Sequence, residues 1–202
     1  MKIKLVVPFF IFMAILAMNS LVTGQSKLRT IEQGNPYPGQ PLEVVEKRVG
    51  EDKINEGRIV AGPNWLKELS ITFRNASGKT ITYIDCILHI DKQGAMEAGY
   101  ALPLLYENRK QPIGPGEFAT LKVSDEQYFG LMKRLAQYQI EDVDKVFLVI
   151  TRVYFNDSTR WVTGKESRQD PADKNKWIPI SKQERLNVFF ECKTRNSHSP
   201  TS

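Results

Sequence analysis

This 202-residue chain has only two histidines and two cysteines, the side chains most often used as bases, nucleophiles or zinc ligands. His89 lies in an apolar run and His198 near the C-terminus. A serine or cysteine hydrolase needs a nucleophile with a base beside it. No Gly-x-Ser-x-Gly elbow occurs, and a histidine within a strand is more often a packed, hydrogen-bonded residue than a base. No catalytic residue is assigned. Glycoside hydrolysis needs two carboxylates at a set separation. Glu141, Asp142 and Asp144 cluster, but they fall in one polar stretch and read as a solvated turn. A calcium site would draw oxygen ligands from a short loop. Asn156 and Asp157, with Asp170, are the candidate set, although hairpin turns choose these residue types for local backbone reasons. No other metal ligand set and no cofactor site is read from the chain.

Three tryptophans offer a different chemistry. Trp65, Trp161 and Trp177 could present stacking faces to a sugar ring, and Trp161, on a short strand beside a turn, is the leading candidate. Against this, tryptophans in a small sandwich usually fill its core or cover its ends. Asn75-Ala76-Ser77 and Asn156-Asp157-Ser158 match the glycosylation acceptor pattern and also read as ordinary surface turns. Lys165, Arg168, Lys174 and Lys176, interleaved with Asp170 and Asp173, read as a solvated loop of mixed sign.

The elements that would position these residues are mostly strands. Glu68 to Asn75 alternates, with Leu69, Ile71 and Phe73 on one face. A turn at Ala76 to Lys79 leads to Thr80–Asp91, and the two are expected to form a hairpin. Leu42 to Val49 and Arg58 to Ala61 read as short strands. Pro103 confines the stretch Gly99 to Tyr106 to an edge or a bulge. After the turn Gly114-Pro115-Gly116-Glu117, Phe118 to Val123 alternates again. Ser124 and Gln127 form a capping box for a helix over about 124–139, with an apolar stripe of Tyr128, Leu131, Met132, Leu135 and Ala136. Val146 to Phe155 is apolar on both faces, as a central strand would be. Arg160 to Thr163 returns as its partner. Gly164 to Lys176 reads as a polar loop, and Trp177 to Ile180 as a segment packed back on the body. A last strand is expected around Leu186, Val188, Phe190 and Cys192.

The N-terminus reads as an address. Two lysines precede an apolar run from Leu5 to Met18, and small residues at Val22 and Gly24 fit cleavage after Gly24. The run is short for a membrane span, and the other reading is an uncleaved N-terminal anchor. The expected organisation is a signal peptide over 1–24, a flexible leader over 25–41, a β-sandwich domain over 42–192 with its core at 65–180, and a disordered tail over 193–202. Removing residues 1–24 takes two lysines and no acid from a net charge of +5, leaving +3. That excess is too small to argue for nucleic acid. In an oxidising compartment Cys86 and Cys192 could pair in one disulfide or stand as two buried thiols.

Three motifs carry a resemblance. The stretches "ITFRNASGKTITYIDCILHI" and "IGPGEFATLKV" resemble strand and turn units of exported bacterial immunoglobulin-like domains. Followed by the helix and "VFLVITRVYFNDSTRWVTG", they are similar to a group of uncharacterised exported bacterial proteins. That group carries glycines in the late turn where this chain has Asn156, Ser158 and Arg160, so the shape of the turn is open. The resemblance implies an immunoglobulin-like antiparallel β-sandwich with one helix between later strands, and no particular activity. The expected function is an exported, non-catalytic module in the periplasm or outside the cell that acts through protein–protein contacts. The alternative is a carbohydrate-binding module using exposed aromatics, and the third is a small secreted hydrolase. The partner is accordingly a protein or a glycan, with no nucleic acid and no membrane span in the mature chain.

Overall fold

The structure is a computed structural model and describes residues 25–91, 101–107 and 111–181. The expected signal peptide, His198, Cys192, the last expected strand and the expected tail lie outside the described residues. Among the described residues, no helix is long and apolar enough to cross a membrane.

Among the described residues the chain is mainly β, with two sheets and one α-helix enclosing one apolar core. The smaller sheet is ordered β3 (Asp52–Lys53), β2 (Leu42–Val49), β5 (Leu69–Asn75), β8 (Phe118–Lys122), all antiparallel. The larger sheet is built on β9 (Lys145–Phe155). On one side β9 pairs along its length with β6 (Ile81–Ile90), and β6 carries the edge strand β7 (Ala101–Glu107). The other side is shared. The first half of β9 takes β1 (Lys27–Gln33) in parallel, and β4 (Arg58–Ala61) pairs beyond it. The second half takes β10 (Thr159–Val162), then β11 (Lys165–Gln169) and β12 (Trp177–Pro179). Thus the expected central strand is central, and it joins two half-sheets. Pro103 sits in the edge strand β7 opposite Ile87, where a missing N–H costs no ladder bond on the open side.

The two sheets bury the faces that alternation marked. Leu69, Ile71 and Phe73 are buried, as are Ile84, Cys86, Leu88, Val146, Leu148 and Val153 from the larger sheet. The helix α1 (Asp125–Ala136) packs on β7 and on the 3-10 turn at Trp65–Glu68. Its capping box is formed: Gln127 N–H donates to Ser124 Oγ at 3.2 Å, and Ser124 N–H donates to Gln127 Oε1 at 3.1 Å. Tyr128, Leu131 and Leu135 are buried, Met132 is half-buried and Ala136 is exposed.

Three expectations about organisation are corrected. First, β5 and β6 do not form a hairpin. They lie in different sheets, because the turn between them is a crossing. The Asn75 side chain is buried and its Nδ2 donates to the carbonyls of Lys79, Ile113 and Gly114 at 2.8–3.0 Å. Ser77 N–H and O–H in turn donate to Asn75 Oδ1. This knot lifts the chain from one sheet to the other. Second, the polar loop 164–176 contains β11. Thr163 and Gly164 both take positive φ, 41° and 88°, which suits a tight two-residue hairpin and follows strand twist. Third, the leader 25–41 is not free, because it supplies β1.

β1 is held by a buried arginine. Arg29 Nη1 donates to Asp142 Oδ1 at 2.8 Å, to Asp144 Oδ1 at 2.7 Å and to the Val143 carbonyl at 3.0 Å, while Nε donates to the Ala61 carbonyl at 3.3 Å. Lys27 adds ion pairs to both aspartates at 2.9 and 2.7 Å. The stretch read as a solvated turn, Glu141 to Asp144, is therefore the receptor for β1. Gly57 completes the fit: a side chain there would meet the Ile31 carbonyl at 2.7 Å, and its φ is +75°.

The bracket has a pH signature. Partial burial pushes the Asp142 carboxyl upward, but the hydrogen bonds from Lys27 and Arg29 outweigh it and hold the pKa below its ordinary value. A carboxyl lowered in the folded state stabilises the fold above the unfolded value of about 3.9, and that stability is lost as pH falls through the folded value. Denaturant midpoints are expected to fall below about pH 4, and less steeply in Asp142→Asn. Coincident acid profiles for the two chains would show that the bracket does not contribute.

A candidate binding trough on the outer face

The β9–β12 wing presents one row of side chains away from the core. Side chains alternate along a strand, so with Ile84, Val153 and Trp161 turned inward, Tyr83, Tyr154 and Arg160 turn outward. Register then aligns them: Tyr83 stands opposite Tyr154, Tyr154 opposite Arg160, and Gln169 opposite Trp177. Tyr83 and Tyr154 meet edge to face with centroids 5.2 Å apart. Tyr154 and Trp177 do so at 5.5 Å. Because neighbouring rings are nearly perpendicular, at 83° and 75°, they make a trough and not a flat tile. The Arg160 guanidinium lies 4.0 Å over the Trp177 ring and donates from Nε to Ser167 Oγ at 3.1 Å, which fixes the indole from behind.

The trough measures about 620 Å³ and has Phe155 beside the two tyrosines. Its remaining wall is neutral and polar: Thr82, Asn156, Ser158, Thr159 and Gln169. The three-residue turn 156–158 is shaped locally. Ser158 takes φ 62°, while Asp157 Oδ1 accepts from Thr159 N–H at 3.0 Å and from Thr159 Oγ1 at 2.5 Å. Lys79 pairs with Asp157 at 2.9 Å. Burial pushes the Asp157 carboxyl upward, but Thr159 and Lys79 overcome this and lower it. Size and lining match a small-molecule site, with a few polar groups around apolar surface.

The residues singled out from sequence distribute unevenly. Of the three tryptophans, only Trp177 lines the trough. Trp161 is 1% exposed, not a surface ring. It faces inward on β10, its Nε1 donates to the Pro38 carbonyl at 3.2 Å, and Tyr37 covers it edge-on at 6.2 Å. Trp65 is also buried, in a 3-10 turn over Trp65–Glu68, with Nε1 donating to the Val143 carbonyl at 2.7 Å. Asn156 is exposed on the rim of the trough. Asp157 and Asp170 each serve their own turn, the latter accepting from Ala172 N–H at 2.9 Å and pairing with Lys176 at 3.5 Å. Among the described residues, no three His, Cys, Asp or Glu side chains come together in a metal-holding group.

His89 lies six residues along β6 from Tyr83, roughly 20 Å away along a strand. It is half-buried opposite Phe147 and Ala101. Cys86 is buried in the core and forms no disulfide among the described residues. Burial, then the neighbouring Asp85 charge, push its pKa upward, away from the reactive thiolate. No acid, histidine or cysteine lines the trough.

Sequence reasoning missed Tyr83 and Tyr154. Each is an aromatic at an outward position of a strand whose neighbours are buried, and that signal was present. Their meeting depends on the pairing of β6 with β9, some seventy residues apart, which alternation does not report. The larger open groove, about 910 Å³ between β2 and β1, is lined by charges of both signs. Lys53 pairs there with Glu46 and Lys145 with Glu32, at 3.6 and 2.9 Å. Comparison with family models, with curated proteins and with solved structures finds no match for this chain.

Proposed function

We propose that this chain is an exported, non-catalytic module that works by holding a partner at the Tyr83–Tyr154–Trp177 trough. The observation that carries the reading is the chemistry of that trough: aromatic rings set edge to face and neutral hydrogen-bonding groups. Such a lining binds and orients. It supplies no group able to take or give a proton at neutral pH, which general acid–base or nucleophilic catalysis needs. Export rests on the lysines and apolar run before Gly24, and the immunoglobulin-like character of the sandwich on the motif resemblance. A protein partner is the broader form of the reading, with aromatic side chains as its anchors.

Two measurements test it. Fractionation of cells expressing the full chain should find it outside the cytoplasm, beginning at Gln25. The purified chain should leave ester, peptide and glycoside substrates unchanged. Turnover of any of them, lost in Tyr154→Phe or in His89→Ala, would replace this reading with the hydrolase.

A further inference from the structure

We propose that the occupant of the trough is an uncharged oligosaccharide. This rests on the reading of the chain as a binding module and narrows its partner to one chemistry. Three features converge. The lining carries no formal charge, so a charged ligand would be desolvated there without a countercharge. Aromatic faces suit a ligand with apolar C–H surfaces, and the row Tyr83–Tyr154–Trp177 extends along the sheet, not as a single isolated ring. The lining also bears the amide and hydroxyl groups of Asn156, Ser158 and Gln169, groups that donate and accept, although Gln169 Nε2 already donates to the Lys174 carbonyl at 2.6 Å. A saccharide combines these properties: hydroxyls around its rim and C–H groups across its faces.

The geometry argues against an extended peptide in the same place. Strand addition needs a free backbone edge. The trough lies on the face of the sheet, where β6, β9 and β10 are already paired. Arg160 lies outside the lining, with its charged guanidinium stacked on Trp177 and bonded to Ser167. It acts as a brace that holds the indole upright.

The test is a glycan array of neutral and acidic oligosaccharides probed with the purified full chain, followed by calorimetry on each glycan bound. Neutral oligosaccharides should bind, and Tyr83→Ala and Trp177→Ala should each weaken binding about tenfold or more. Phe129→Ala, at an exposed aromatic on α1, should leave binding unchanged. Circular dichroism and thermal midpoints establish that each variant is folded. Should Trp177→Ala unfold the wing, Tyr83→Ala carries the test alone. The proposal is overturned by an empty array, by binding confined to acidic glycans, or by binding that survives both trough substitutions. An empty array from a catalytically inert chain would end the saccharide reading and leave the binding-module reading standing.

Discussion

Replacing Phe73 with alanine is expected to destabilise the fold by about 3–5 kcal/mol, the largest loss of any single truncation considered. Phe73 is fully buried in β5, the middle strand of the smaller sheet. Its ring faces the larger sheet, and its neighbours Val44 and Ala119 on the flanking strands are small. They cannot swell to fill the space, so most of the cavity would persist, and the cavity term would add to the lost transfer free energy. The measurement is the midpoint of denaturant unfolding at unchanged slope. Val149→Ala is the internal comparison. Val149 lies on the apolar strand β9, but it points outward opposite Ile87 and is only half-buried. Its truncation should cost below about 1 kcal/mol. Equal losses at the two positions would show that the inner and outer faces of the sandwich have been exchanged.

The second large effect is expected at Arg29→Ala, about 2–4 kcal/mol. Removing one partner of a buried ion pair usually costs more, because the other charge is stranded in the interior. Here two considerations reduce the loss. Asp142 and Asp144 retain some exposure, at 22% and 52% of their side chains, so water can solvate them once the guanidinium is gone. Arg29 Nη2 is also buried with no hydrogen-bond partner among the described residues, so the native state already carries a desolvation cost that alanine relieves. What remains is the loss of the Val143 and Ala61 carbonyl contacts and of the volume the side chain fills. Hydrogen exchange should locate the damage: amides of β1 and β4 should lose protection before those of β5 and β6. Uniform loss across both sheets would mean that β1 is not a separately anchored element.

The same residue explains why part of the fold could not be read from the chain. In β5 the inward positions are Leu69, Ile71 and Phe73, so hydrophobicity reports orientation directly. In β1 the pattern is inverted. Arg29 faces in and is fully buried, while Leu28 faces out and is 56% exposed. Only Ile31 marks the core side. A strand anchored by an ion pair leaves no apolar alternation, and its receptor, Asp142 to Asp144, lies more than a hundred residues away. The crossing at Asn75 was hidden for a related reason. Asparagine, serine and glycine after a strand announce a turn equally well whether the chain folds back or passes over to the other sheet, and the choice is made by the carbonyls of Ile113 and Gly114. The helix was legible because its cap, first-turn acids and stripe are all local. At the trough, Trp177 stood out as a residue type, whereas Trp161 is turned inside by strand parity and Trp65 by its 3-10 turn, each with its indole N–H on a carbonyl.

The position of β9 has a consequence for the order in which the molecule can form. A chain made from its N-terminus first holds β1 ready long before β9 exists, and β1 can pair in parallel only with residues 145–148. Closing so long a loop costs entropy that local contacts cannot return. When β9 does arrive, it engages β1 and β6, and β10 then folds back on it from the following turn. The larger sheet is thus joined late around its last long strand, and a chain ending before Lys145 would have the β1–β4 and β6–β7 pairs but nothing to connect them.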